Sequence, residues 1–298
     1  INIKNINKLP LNIKKKVSKD IKKITAKRKF LGKKNHMIRR VLNLTPDSFS
    51  DGGKFNSPRK AFQRIKNMIN AGADIIDVGG ESTRPGSKII SQKIELQRVK
   101  SVINKFKKNY PKTLLSIDTR KSLVMNFSIK HNVDIINDVS CYEFDPRSFE
   151  TISGQNLWKI IHHMQGTPQT MQINPKYNHV LLDIYDFFER EIKKFKKRKY
   201  YKKIILDPGI GFGKNLKHNL MILNKISLFH SLGFPILIGT SRKRFINQIS
   251  RKYDTKERIG GTLSSITFSF SQGVKIFRVH NVEEVKQGLL VFEALLNK

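Results

Sequence analysis

The sequence predicts an α/β protein whose parallel strands close into a (β/α)8 barrel. Three observations carry that prediction. From residue 37 onward, short β-type apolar runs alternate with helical stretches, as in a parallel sheet covered by crossover helices. Eight such pairs fit within residues 37–298, close to the ~250 residues such a barrel usually takes. Nearly every apolar run also ends in, or just before, a polar group, which is where a barrel gathers its chemistry.

Taken in order, the strand runs are 39–44 (RRVLNL), 73–78 (ADIIDV), 114–117 (LLSI), 134–137 (DIIN), 158–162 (WKIIH), 203–206 (KIIL), 236–238 (ILI) and 275–278 (KIFR). Helical periodicity follows over 58–70, 92–108, 120–131, 146–153, 180–198, 216–231, 257–272 and 282–296. The fifth helix shows it most plainly, with Leu181, Ile184, Phe187, Phe188, Ile192 and Phe195 on one stripe. A doubly wound open sheet competes with the barrel, but it usually carries a glycine fingerprint after its first strand. Asn43-Leu-Thr-Pro supplies none. Residues 1–36 have weak periodicity and almost no acids; they are expected to form a basic, poorly ordered extension before a single domain over 37–298.

Charge narrows the function classes. The 298 residues hold 58 Lys and Arg against 23 Asp and Glu, a formal net charge of +35. Residues 1–40 alone carry 15 of the cations and one acid, Asp20. Lys, Asn and Ile are over-used everywhere, so the excess reads as compositional bias, and no nucleic-acid partner is expected. The dense run Lys193–Lys203 sits at a helix C-terminus, where cations suit the helix dipole. Cys141 is the sole cysteine, which excludes an internal disulfide and a cysteine zinc cluster. No apolar stretch has the length of a membrane span, and the basic N-terminus lacks the apolar core of a signal peptide; a cytoplasmic address is expected.

The polar segments at the strand ends carry the chemistry. Asn43-Leu-Thr-Pro-Asp-Ser-Phe-Ser-Asp51-Gly-Gly is a polar loop after the first strand. Asp77-Val-Gly-Gly-Glu81-Ser-Thr83-Arg84-Pro85-Gly puts an acid, a hydroxyl and a cation on a second loop. Asp118, Asn137 and Asp207 end three further strands. Carboxylates and an amide oxygen accept hydrogen bonds from amino and ring N–H groups, so an amino-pyrimidinone edge such as guanine or a pterin suits them. Buried without partners, those carboxylates would be costly. Asp207-Pro-Gly-Ile-Gly-Phe212-Gly-Lys214 fails both phosphate-loop templates, and its glycines are read as letting backbone approach a flat ligand. Ser241-Arg-Lys243 and Arg278-Val279-His280 supply cations for an oxyanion or phosphate. His162 and His163 point opposite ways on a strand, so only one faces the mouth, and a loop-shaping role is favoured over metal binding.

These motifs together resemble dihydropteroate synthase, a pterin-binding TIM-barrel family of the bacterial folate pathway. The resemblance runs from about Met37 to the C-terminus through LNLTPDSFSDGG (42–53), AGADIIDVGGESTRPGS (71–87), SIDTRK (116–121), IINDVS (135–140), HHMQGTPQTMQ (162–172), ILDPGIGFGKN (205–215), IGTSRK (238–243) and FRVHNV (277–282). It implies condensation of 6-hydroxymethyl-7,8-dihydropterin diphosphate with 4-aminobenzoate to 7,8-dihydropteroate and pyrophosphate, with Mg²⁺. A pterin-dependent methyltransferase of the same barrel family is the alternative.

The resemblance also implies roles for single residues. Asp118, Asn137, Asp207 and Lys243 would hold the pterin. Asn43, Arg278 and His280 would meet the pyrophosphate, with Asn43 near Mg²⁺ and Thr83 on the phosphate side, and Val279 would be among the substrate-binding residues. Asp51, Arg84, Pro85, Ser241, Phe212 and Lys243 would form the aminobenzoate site. Lys243, Arg278, His280 and Asp118 would be the catalytic set, and a homodimer is implied. Two positions depart from the family pattern: Arg39-Arg40 stand where Met-Gly is usual, and Ile210 replaces a usual Phe.

Overall fold

In a computed structural model of the chain, the described residues are 6, 9–25, 35–45, 58–82, 87–251 and 254–296. Eight parallel strands alternate with helices: β1 (Met37–Asn43), β2 (Ile75–Gly79), β3 (Leu114–Asp118), β4 (Ile135–Asp138), β5 (Trp158–His162), β6 (Ile204–Asp207), β7 (Leu237–Ile238) and β8 (Ile276–Val279). Hydrogen bonding joins them in the order β6-β5-β4-β3-β2-β1-β8-β7. The ring closes between β6 and β7 through a parallel bridge, Leu206 to Ile236, and the Leu206 N–H donates to the Pro235 carbonyl at 2.9 Å. The expected (β/α)8 barrel is what the chain forms.

The strand interiors show why the barrel is a packed body with one chemical end. Met37, Ile75, Ile135, Ile160, Ile205, Leu237 and Ile276 form a buried apolar cluster inside the ring, one from each of seven strands. Side chains two residues further along each strand face the same way. There the interior turns polar: Arg39, Asp77, Ser116, Asn137, His162, Asp207 and Arg278. The alternate positions, such as Ile38, Ile76, Leu115, Ile136, Ile161, Leu206, Ile238, Phe277 and Val279, join the main core between ring and helices.

That outer core is made by α2 (Pro58–Asn70), α3 (Gln92–Asn109), α4 (Ser122–Lys130), α5 (Ser148–Ser153), α6 (Val180–Phe195), α7 (Leu216–Asn224), α8 (Arg244–Ser250), α9 (Ile259–Ser271) and α10 (Val282–Leu296). Caps set several starts: Ser91 accepts from the Ile94 N–H, and Asn215 with His218 forms a reciprocal capping box.

The helices differ from expectation in two places. The helix expected over 216–231 is interrupted at Lys225 and continues as a 3-10 segment, Ile226–Leu232, ending on left-handed Gly233. The short α8 was not foreseen. Within the extension, residues 11–25 form α1 (Leu11–Thr25), which packs near Ile226–Leu232.

Candidate active site

The polar interior opens at the C-terminal strand ends into one pocket, where Asp118, Asn137, Asp207, Phe212, Lys243 and Arg278 meet, as the sequence requires. Arg39 and His162 line it as well, and neither was counted as a site residue from sequence. Above it the pocket widens into a cleft of about 920 Å³ that also takes in Asn43, Ser241, Arg242 and His280. That volume is in the range of small-molecule sites.

The acceptors sit deepest. Asp207 at the end of β6 is buried, and its Oδ1 accepts from the Gly209 N–H at 2.8 Å, which fixes the carboxylate in the pocket wall. The Asn137 Oδ1 is buried and has no hydrogen-bond partner in the protein, so the pocket holds an acceptor awaiting a donor. Asp118 stands at the top of β3, and burial, then the nearby Asp77 carboxylate, push its pKa up to about 7. Gly79 separates it from Asn43: a Cβ there would lie 3.6 Å from the Asp118 Cβ and 3.7 Å from the Asn43 Oδ1. Asn43 and Asp118 thus flank the same glycine from the two neighbouring strands.

The Gly-rich loop forms the facing wall. A Cβ on left-handed Gly209 would lie 2.0 Å from the His163 carbonyl oxygen, and one on left-handed Gly213 would lie 2.5 Å from that of Gln165. Glycine is therefore what lets this loop lie directly on the segment after β5. Phe212 is held edge-on to His162, with ring centroids 4.6 Å apart, and the Lys243 ammonium lies 4.2 Å over its face. Burial, reinforced by Arg278, lowers the Lys243 pKa to about 7. Burial also lowers His162 to about 4, so this imidazole is neutral. As the sequence reading requires, its neighbour His163 faces the other way, within 2.9 Å of the Lys214 ammonium.

The rim is cationic through arginine and lysine but not through histidine. His280 was expected to supply a positive charge; burial and then Arg278 hold its pKa near 3, so it acts as a neutral imidazole. The buried Ser241 hydroxyl lies 3.0 Å from the His280 Nδ1 and accepts from the His280 N–H at 3.1 Å. With that hydroxyl donating to Nδ1, the imidazole carries its proton on Nε2.

Other expectations change. The Val279 side chain faces outward into the core and not into the pocket, because successive strand residues alternate sides. Glu81, read as a loop acid, is buried in ion pairs with Arg120 at 2.7 Å and Lys121 at 2.8 Å, and Lys121 also pairs with Glu95 at 2.6 Å. Asp51, Thr83, Arg84 and Pro85 lie outside the described residues. Among the described residues no group of three or more His, Cys, Asp or Glu has metal-binding geometry.

Comparison with known proteins agrees with this geometry. Residues 40–280 match the family of pterin binding enzymes. The chain is 42% identical over 258 residues to dihydropteroate synthase of Escherichia coli K12, covering 86% of this chain and 90% of that protein. It is 38% identical over 268 residues to the Synechocystis enzyme of the same name, covering 89% and 91%. Among solved structures, Yersinia pestis dihydropteroate synthase in a sulfonamide drug complex superposes with a TM-score of 0.83 at 35% identity, covering 92% of this chain and 99% of that one. The Xanthomonas albilineans enzyme in complex with 7,8-dihydropteroate gives 0.78 at 27% identity, covering 88% and 94%. A barrel with one polar mouth, the motifs that line it and relatives matched over nearly their whole length lead to one conclusion: the chain belongs to the pterin-binding enzyme family, as a dihydropteroate synthase homologue.

Proposed function

We propose that the chain condenses 6-hydroxymethyl-7,8-dihydropterin diphosphate with 4-aminobenzoate, forming 7,8-dihydropteroate and pyrophosphate. The observation that carries this reading is the division of one pocket into a floor of acceptors and a rim of cations. Asp118, Asn137 and Asp207 present carboxylate and amide oxygens to the amino and ring N–H groups of a pterin edge. The Asn137 oxygen, buried and unpartnered, gains its donor from the ligand.

At the reacting carbon, the C–O bond to the diphosphate breaks as the C–N bond to the arylamine forms, and the amine proton leaves to solvent or base. Negative charge grows on the departing oxygens. Arg278 meets it as a cation, Lys243 in its ammonium form, and His280 as an Nε2–H donor oriented by Ser241. Phe212 and the Lys243 stem offer the aminobenzoate ring a flat surface. No protein nucleophile is required, since positioning two bound reactants supplies much of the remaining effect.

Mg²⁺ fits this site in a limited sense. The Asn43 amide oxygen is a hard neutral ligand at the mouth, and Mg²⁺ commonly keeps several waters and takes its other oxygens from substrate phosphates. Bound there, it would neutralise charge on the leaving diphosphate. A homodimer and a cytoplasmic address complete the reading. Exposed Phe268, Val291 and Leu295 on α9 and α10 support the first, and the single cysteine supports the second.

The deciding experiment measures 7,8-dihydropteroate formation by the purified protein with both substrates and Mg²⁺. Product is expected; none under any Mg²⁺ concentration, with the protein folded, overturns the activity.

A further inference from the structure

Arg39 stands in the pocket floor, on the inner face of β1. Its side chain is 1% exposed, faces the ring interior and lines the cavity with Asp118, Asn137 and Asp207. Its Nη2 is 2.7 Å from the Asp77 Oδ2, and the Asp77 side chain is fully buried. The strand register accounts for this meeting. Arg39 lies opposite Ile75, two residues before Asp77 on the same face, and it lies beside Arg278 on β8. Asp77 in turn sits opposite Ser116, two residues below Asp118.

The interior is thus a charge array. Asp77, Asp118 and Asp207 face Arg39, Arg278 and Lys243, and Asp138 on β4 acts on Asp118 from one side. Without Arg39 the fully buried Asp77 loses the cation that pairs with it. In so dry a place an uncompensated carboxylate is expensive, and two neighbouring carboxylates relieve it by sharing a proton. The acid nearest the ligand would then cease to be a full acceptor.

We propose that Arg39 is a positioning residue of the pterin pocket: it cancels the charge of Asp77 beneath Asp118, so that a larger share of Asp118 meets the heterocycle as a carboxylate acceptor. The inference rests on the pterin reading of the pocket. It gives Arg39 a place in ligand recognition through its partner and not through contact alone.

The test titrates the purified protein with 6-hydroxymethylpterin at pH 7 and follows the affinity. Arg39→Met is expected to weaken binding about fivefold, the fall in the Asp118 carboxylate share at pH 7 for one unit of pKa displacement from about 7. Arg39→Lys, which keeps the charge, is expected to stay within about threefold of the unmodified chain on the same scale. Asp77→Asn placed in the Arg39→Met background is expected to restore most of the loss, because it removes the charge that Arg39 had cancelled. A double variant as weak as Arg39→Met, or an Arg39→Met variant that binds normally, overturns the proposal. If Arg39→Met does not fold, Asp77→Asn alone decides: charge balance requires no loss of affinity, and a tenfold loss shows a packing role instead. An unmodified chain that binds no pterin sinks the pocket reading itself, an outcome distinct from any of these.

Discussion

The pterin pocket depends on a few atoms whose hydrogen bonds are half spent on the protein. Asp207 gives one carboxylate oxygen to the Gly209 N–H and keeps its place in the wall by burial. Asp207→Asn replaces a charged acceptor with an amide and is expected to weaken pterin binding by about 1.5–3 kcal/mol, the worth of a hydrogen bond to a charged group. Lys193→Ala, an exposed position on α6, is expected to change it by less than about 0.5 kcal/mol. Titration calorimetry on both variants checks the pair, and equal effects would contradict the placement of Asp207. His280 shows how far a side chain's identity falls short of its state. The sequence suggests a cation beside Arg278, yet burial among Arg278, Arg40, Arg242 and Lys243 makes the neutral imidazole the stable form.

At the scale of elements, the Gly-rich loop matters most because it carries Phe212 to the face of Lys243. Gly209→Ala adds a Cβ 2.0 Å from a carbonyl oxygen, in a left-handed conformation that side chains disfavour. The loop must lift away. The expected result is a fall in stability of about 2 kcal/mol or more, with a larger proportional loss of pterin affinity, read from thermal melts and ligand titration. The elements themselves were largely legible. All eight strand runs overlap the observed strands, since apolar runs bounded by Gly, Asp and Asn punctuate the chain. Two helices were not legible for different reasons. The seven residues of α8 are too few to show a period, and α1 holds its apolar Leu11, Val17 and Ile21 among six lysines. Sidedness was the other gap. Strands of a parallel barrel are buried on both faces, so an unbroken apolar run does not say which residues look inward. That is why Val279 was grouped with Arg278 and why Arg39 was set aside. Glu81 was misread because its partners, Arg120 and Lys121, lie some 40 positions along the chain.

Three of the described lysines are held below their ordinary pKa by burial, at a cost that pH can measure. Burial lowers Lys214 and Lys243 to about 7 and Lys159 to about 8, against 10.5 for an unfolded lysine. Between pH 7 and 9 the unfolded chain therefore binds more protons at these sites than the folded one, and stability rises with pH. The ligand-free protein is expected to melt at a higher temperature at pH 9 than at pH 7. Lys214→Met, at a site only 3% exposed, is expected to remove on the order of 1–2 kcal/mol of that rise. Denaturant melts at the two pH values check it, and an unchanged rise in the variant would show that Lys214 stays charged when folded.

The disc of isoleucines, with Met37 and Leu237, across the lower half of the ring has a kinetic consequence. It makes the barrel a cup with one entrance, so molecules pass through it as through a blind alley. On the proposed chemistry, whatever occupies the deep end must arrive before its co-substrate and depart after the released diphosphate. Saturating the shallow end first would block the door, and excess aminobenzoate would slow turnover by keeping the pterin out.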